Sequence, residues 1–206
     1  MKLKSITLTT AALLLSTSVN AALLFTNRIS FESAVTVGQF IDFEAPFSNG
    51  SSITFGDATF ISTNNTGLFR TNANEFGSLE TRLASQNTDG IRIELASGWT
   101  SLGLDVGELF AGASTGTFTL RDSSNTIIDS ITLDIGHFGP TPSFIGWIND
   151  VDIGSMEFFA SGTNSFEAID NVILSNTISA VPVPAAAWLF GSGIIGLIGF
   201  VRRKKV

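Results

Sequence analysis

Residues 116–135 read GTFTLRDSSNTIIDSITLDI and carry the clearest structural signal in the chain. Two strand-like runs, Gly116 to Arg121 and Ile127 to Ile135, flank the polar turn Asp122-Ser123-Ser124-Asn125. This arrangement is typical of an antiparallel hairpin, because Asp, Ser and Asn favour turns while β-branched and aromatic residues favour strands. On both sides of the hairpin, short strand-like runs alternate with turn clusters, without helical periodicity.

The number and spacing of these runs predict one all-β domain over residues 22–175, an antiparallel β-sandwich of two packed sheets. The predicted strands are residues 40–44, 52–55, 58–62, 67–70, 78–83, 91–95, 101–106, 116–121, 127–135, 143–148, 153–160 and 167–174. One short helix is predicted from Ile29 to Val35, with Ser30 as its cap. Phenylalanines at alternating positions are predicted to fill the core: Phe43, Phe55, Phe60, Phe118, Phe158 and Phe166.

The middle of the chain, residues 22–180, differs in charge from the two ends, and we call it the body. Residues 22–180 contain five arginines, no lysine and all 18 acidic residues, so their net charge is −13. Such a body repels nucleic acid and anionic lipid, so these partners are disfavoured and no nucleic-acid partner is expected. The chain has no cysteine, which rules out disulfides, thiolate zinc sites and cysteine nucleophiles. With one histidine and no tyrosine, it has few general acid or base groups near neutral pH.

Residues 1–21 have the order of features found in a secretory signal peptide. Lys2 and Lys4 precede a short apolar stretch from Ile6 to Leu15, and Val19-Asn20-Ala21 is a small-residue cleavage site. The alternative is an amphipathic N-terminal helix or strand of the domain. The sequence therefore predicts export of the body.

The C-terminal end predicts a membrane helix. Ala185 to Val201 contains no charge and would span about 26 Å as a helix, just enough to cross a bilayer. A short linker, residues 176–180, precedes this segment. Four cations follow the helix and are expected to hold the C-terminus in the cytoplasm, with the body outside: Arg202, Arg203, Lys204 and Lys205. The alternative is a hydrophobic core helix of the domain.

The same tail resembles a PEP-CTERM protein-sorting signal. The motif Val181-Pro182-Val183-Pro184-Ala185, the glycine-rich span and the basic end match the variant with Val-Pro-x-Pro-Ala, in which Val183 replaces the usual Glu. The resemblance covers residues 181–206. It implies an exported bacterial protein, processed by an exosortase-type membrane protease and associated with exopolysaccharide or biofilm.

The body resembles the jelly-roll domains often found ahead of this signal. The matching segments are Phe43-Glu44, Leu102-Gly103-Leu104-Asp105-Val106, Phe144-Ile145-Gly146-Trp147 and Ala168-Ile169-Asp170-Asn171-Val172. Related sandwiches include carbohydrate-binding modules, some of which hold a structural calcium.

Calcium is the one cofactor that the sequence suggests. In a jelly roll the first and last strands lie close together, so Glu44, Asp170 and Asn171 would offer Ca²⁺ oxygen ligands at one edge. The alternative is that these side chains are solvated charges that discourage edge pairing.

Two tryptophans, Trp99 and Trp147, are candidates for stacking on sugar rings; the alternative is that both are core residues. No catalytic residue is predicted, because the sequence contains no nucleophile, phosphate-loop or metalloprotease motif. We therefore expect a non-catalytic surface or matrix protein, membrane-anchored or exosortase-processed. A carbohydrate-binding module and a secreted glycan hydrolase are the alternatives.

Overall fold

A computed structural model describes residues 22–72, 81–86, 89–110, 114–139, 141–161 and 165–177. The predicted signal peptide, the sorting motif, the membrane helix and the basic end lie outside these residues. Within the described ranges, no helix is long and apolar enough to cross a membrane.

The described residues form one short helix, α1 (Arg28–Ala34), and thirteen strands. The strands are β1 (Leu23–Phe25), β2 (Gln39–Ile41), β3 (Ser52–Phe55), β4 (Ala58–Ser62), β5 (Leu68–Thr71), β6 (Arg82–Ser85), β7 (Ile91–Leu95), β8 (Ser101–Glu108), β9 (Ser114–Asp122), β10 (Ile127–Ile135), β11 (Ser143–Ile148), β12 (Ile153–Ala160) and β13 (Glu167–Ser175). The predicted β-sandwich is confirmed, and the predicted strands 52–55, 58–62, 91–95, 127–135, 143–148 and 153–160 match the structure residue for residue.

All strand pairs are antiparallel, and they form two sheets. The seven-stranded sheet has the order β1-β11-β8-β13-β6-β5, with β2 also paired to β13. The six-stranded sheet has the order β10-β9-β12-β7-β4-β3. From β6 onward the chain crosses repeatedly between the two sheets.

The main core lies between the two sheets. The alternation of side chains along β9 shows how this core is built. Phe118 and Leu120 point inward and are buried, while Thr117 and Thr119 point outward. Phe118 stacks on Phe158 of β12 with ring centroids 4.8 Å apart. Of the phenylalanines predicted for the core, Phe43, Phe60, Phe118 and Phe158 are fully buried, and Phe55 packs against the same cluster while partly exposed.

The outer face of the seven-stranded sheet is covered. Phe31 of α1 packs on Gly103 and Gly146, where an added Cβ would lie 2.6 Å and 2.8 Å from its ring. We call this outer face, with Phe31, Gly103, Gly146 and the loop residue Phe138, the covered face. The N-cap of α1 is Asn27 and not the predicted Ser30, because the Asn27 side chain accepts the Ser30 N–H at 3.0 Å.

The outer face of the six-stranded sheet is not covered: no described helix or strand packs on it. We call it the bare face. Its outward side chains are mainly hydroxyl or charged groups: Thr54, Thr59, Arg92, Glu94, Thr117, Thr119, Arg121, Ser130, Thr132 and Glu157, together with the apolar Ile61, Ile127 and Phe159.

Candidate functional site

The first and last described strands meet at one end of the sandwich. Ser101 of β8 pairs with Ile148 on one side and with Ser175 on the other. Ile148 pairs in turn with Leu23. The described chain therefore enters and leaves at one end. The start of β13, where Glu167 pairs with Glu108, lies eight residues or about 27 Å away at the opposite end. This free end is the part of the body farthest from the two chain ends.

An aromatic pocket of about 400 Å³ lies at the free end, on the covered face beside the edge strand β5. It is lined by Asn49, Phe69, Gln86 and Phe166. Phe110 extends this surface, since its ring centroid lies 4.7 Å from that of Phe166 and 57% of the residue is exposed. We call these five residues the aromatic pocket.

The fold brings the two aromatic rings together through a buried carboxylate. Glu108, which is fully buried at the end of β8, accepts the Phe110 N–H through Oε2 and the Phe166 N–H through Oε1, both at 3.0 Å. The backbone adds a further bond, from Leu109 N–H to the Phe166 carbonyl at 3.1 Å. Glu108 is thus a positioning residue that fixes the backbone under both rings.

Two amide side chains complete the aromatic pocket. Asn49 accepts the Arg70 N–H through Oδ1 at 3.1 Å, which ties it to β5 and leaves its NH₂ group as a donor. The exposed Gln86 side chain has no hydrogen-bond partner among the described residues, whereas its backbone bonds to Gly67 and Asp89. Flat apolar rings next to neutral donors and acceptors suit a ligand that has both apolar faces and hydroxyl groups.

A second buried carboxylate joins the strands that present the aromatic pocket. Glu167 follows Phe166 and accepts a 2.5 Å hydrogen bond from Ser85, which precedes Gln86; its other oxygen accepts the Ala160 N–H at 2.8 Å. Burial raises the pKa of Glu167, the two hydrogen bonds offset this only in part, and the charge of Asp89 raises the pKa further.

Asp89 organises the neighbouring loop. Its carboxylate accepts hydrogen bonds from the side chains of Ser62, Thr63 and Thr66 and from the Asn64 N–H. Burial by itself would raise the pKa of Asp89, but these donors outweigh it and hold the pKa below the ordinary value of 3.8. The Asp89 carboxylate therefore holds the turn between β4 and β5 against the start of β7.

A larger cavity, about 570 Å³, lies where the two sheets open between β10 and β11. Of its three charged lining residues, Arg28 and Asp105 bind each other at 2.7 Å, and the Arg28 guanidinium lies 5.0 Å from the Phe144 ring centroid, while Asp134 is exposed. One exposed carboxylate beside an internal ion pair offers little to a neutral ligand, and we place the candidate site at the aromatic pocket.

The structure places the predicted calcium ligands in two settings. β2 does pair with β13, as expected of early and late strands. Asp170 and Asn171 lie at a bulge in β13, where Asn171 Nδ2 donates to Asp105 at 3.0 Å. The Glu44 carboxylate instead accepts the Thr81 N–H at 2.9 Å. Among the described residues no group of three or more His, Cys, Asp or Glu side chains is arranged to hold a metal. Calcium binding stays a prediction.

The two tryptophans are not equivalent. Trp147 is fully buried in the core and donates its indole N–H to Asp129 at 3.0 Å, so the prediction that it stacks on a sugar is wrong. Trp99 is partly exposed and packs against the core and Gly38, near the end where the chain enters and leaves. Its role in stacking stays a prediction.

Sequence reasoning missed most of the aromatic pocket. Phe166 was expected in the core, but it is only partly buried and belongs to a cluster on the covered face. Phe69 lies in a predicted strand, and nothing in that run marks it as a ligand contact. Phe110 did carry a signal, since it is a large apolar residue in the Gly- and Ala-containing segment after a predicted strand. Its approach to Phe166 depends on Glu108, which also bonds Phe166, 58 residues further along the chain.

Comparisons with known proteins concern the fold. The sequence matches no protein-family model, and no curated protein sequence matches it. A family 11 carbohydrate-binding module of a Clostridium thermocellum cellulase is similar at 14% identity and a TM-score of 0.39, covering 69% of this chain and 95% of that one. The C-terminal family 22 module of Clostridium thermocellum Xyn10B has 14% identity and a TM-score of 0.43, with coverages of 70% and 95%. Likenesses this weak do not assign a function to this chain.

Proposed function

We propose that this chain is an exported, non-catalytic carbohydrate-binding protein of the cell surface or extracellular matrix, and that its aromatic pocket binds a neutral polysaccharide. The observation that carries the proposal is the pocket itself, with the rings of Phe69, Phe110 and Phe166 beside the amides of Asn49 and Gln86. Sugar rings have apolar C–H faces and hydroxyl edges, so aromatic surfaces and amides complement both.

Charge narrows the ligand class. The body carries a net charge of −13, which disfavours acidic polysaccharides. Among the described residues, the side chains that line the aromatic pocket include no titratable group. A hydrolase would need a positioned acid or base at its ligand, so we propose binding without turnover.

The tail residues give the proposal a cellular setting. With a membrane helix at 185–201 and a basic cytoplasmic end, the body would stand outside, and the free end would face away from the membrane. Processing at Val181 to Ala185 by an exosortase-type protease would release the body into the matrix. A neutral exopolysaccharide is the ligand that this setting would supply.

The binding proposal is tested by affinity electrophoresis of the full-length chain in neutral detergent. The gels contain hydroxyethyl cellulose, arabinoxylan or galactomannan, with alginate as the acidic comparison. We expect retardation in at least one neutral gel and none in alginate. Phe110→Ala should weaken the retardation constant at least tenfold, because an exposed stacking ring is removed without opening the core.

Phe40→Ala is the matched control, because Phe40 is 50% exposed but lies on β2, which pairs with the far end of β13. It should leave retardation unchanged. Absence of retardation in every neutral gel would contradict the proposal, as would equal losses in the Phe40→Ala and Phe110→Ala variants.

The cellular part has its own test, cell fractionation with mass spectrometry of the mature termini. We expect a mature N-terminus at Ala22 and a C-terminus within or before residues 181–185. Recovery of intact residues 1–206 from the cytosol would refute the proposed export and sorting, whatever the binding assay shows.

A further inference from the structure

A second exposed aromatic ring lies on the bare face. Phe159 of β12 is 39% exposed and packs directly over Gly90, where an added Cβ would come within 2.5 Å of its ring. Because Gly90 has no side chain, the Phe159 ring can lie against the sheet and present its other surface to solvent. Phe159 is the aromatic group of a face that is otherwise made mainly of hydroxyl and charged side chains, with Ile61 and Ile127 as its other large apolar residues.

The neighbours of Phe159 supply neutral hydrogen-bonding groups. Thr117 pairs with Phe159 across β9, and its hydroxyl lies 3.2 Å from that of Thr132 on β10. On the other side Arg92 is paired with Glu94 at 3.1 Å and with Glu157 at 3.7 Å. The guanidinium is thus flanked by two carboxylates, and the surface around Phe159 favours an uncharged ligand rich in hydroxyl groups over an anionic one.

The bare face and the aromatic pocket point in opposite directions. Phe69 of the aromatic pocket packs with Ala84 and Ala168 on the outside of the seven-stranded sheet, whereas Phe159 lies on the outside of the six-stranded sheet. The two sheets are separated by a core about 10 Å thick. A ligand held at one surface therefore leaves the other surface open.

We infer that the bare face around Phe159 is a second contact for a neutral polysaccharide, so that one molecule bridges two polysaccharide chains. This inference rests on the proposed function for its first site and adds the second. With one site on each side, a single molecule can hold two polysaccharide chains at once and so cross-link them.

The test counts sites by native mass spectrometry of the full-length chain, released from detergent. The probe is an oligosaccharide cut from the neutral polysaccharide that retards the chain most strongly. We expect two bound oligosaccharides on the natural chain, one on Phe110→Ala, one on Phe159→Ala and none on the double variant. Phe40→Ala should still bind two.

Agglutination of beads coated with the same polysaccharide gives the second readout, and it should be lost in either single variant. One site on the natural chain, lost in Phe110→Ala and kept in Phe159→Ala, would overturn the inference but leave the proposed function standing. One site lost only in Phe159→Ala would instead refute the aromatic pocket. Agglutination by the double variant would also overturn bridging.

Discussion

The covered and bare faces belong to sheets of similar size, yet the side chains that point outward from their strands differ. On the covered face β8 presents Gly103 and Gly107 outward, which leaves room for the rings of Phe31 and Phe138. On the bare face β9 presents Thr117 and Thr119, whose hydroxyls keep contact with water. Small outward residues allow a second layer to pack on a sheet, and β-branched polar residues keep the sheet open for ligands.

Charges follow the same division. On the covered face Arg28 is held between Asp105 and the Phe144 ring. On the bare face the Arg92 pairs with Glu94 and Glu157 are more exposed, so solvent weakens them. The two faces therefore differ in how much their side chains contribute to stability, and the ring, glycine and ion-pair measurements below test that difference.

The largest effect is expected from removing a ring from each face. Phe31→Ala should lower the free energy of unfolding by about 3–5 kcal/mol, because it empties a buried site between α1 and the sheet. Phe159→Ala should cost less than about 1 kcal/mol, since its ring is already partly in water. Urea unfolding of the full-length chain, followed by tryptophan fluorescence, measures both; equal costs would remove the distinction between the faces.

A smaller effect is expected from adding one methyl group to the covered face. Gly103→Ala would place its Cβ 2.6 Å from the Phe31 ring, so it should destabilise the protein by about 1–3 kcal/mol. On the bare face, Thr117→Ala instead removes an exposed side chain, and its effect should stay below about 1 kcal/mol. A Gly103→Ala variant as stable as the natural chain would show that α1 is not packed on β8 as described.

The coupling free energies of the ion pairs should differ less between the two faces than the effects of these substitutions. A double-mutant cycle on Arg28 and Asp105 should give a coupling free energy of about 1–2 kcal/mol, because this pair is largely shielded from water. The same cycle on Arg92 and Glu94 should give about 0.2–1 kcal/mol and shrink in high salt. A salt-insensitive Arg92–Glu94 pair stronger than Arg28–Asp105 would reverse the comparison.

The smallest differences are expected in pH dependence, where the two buried carboxylates act with opposite sign. Burial raises the pKa of Glu167 above its ordinary value of 4.5, so its favourable contribution is full below pH 4.5 and is lost as the pH rises through the folded-state value. Glu167→Gln should therefore become more stable relative to the natural chain as the pH rises from 4.5.

For Asp89, burial would raise the pKa, but the hydrogen bonds from Ser62, Thr66, Asn64 and Thr63 lower it overall. Its favourable contribution is present above the ordinary value of 3.8 and is lost as the pH falls through the folded-state value. Asp89→Asn should therefore lower the free energy of unfolding most at neutral pH and least in acid. Unfolding curves across this range check both signs, and parallel pH profiles for the two variants would contradict the assignment.

Most strand positions could be predicted because they depend on residues that are close together in the sequence. The hairpin around Asp122 to Asn125 places turn residues between alternating runs, and β9 and β10 form there. β1 was missed because Leu23–Phe25 is only three residues long and follows the predicted signal peptide directly. The cap of α1 was placed at Ser30 instead of Asn27, since both residue types cap helices and only the geometry shows which side chain accepts the bond.

By itself the sequence determined the class of fold, the acidic body and the uncharged C-terminal segment, because alternation, turn chemistry and charge are properties of neighbouring residues. Which strands are neighbours and which sheet face is covered depend on how the whole chain packs. The same packing buries Trp147 and lets Glu108 hold Phe110 and Phe166 together. These outcomes depend on contacts between residues far apart in the chain, and local patterns carry no information about such pairings.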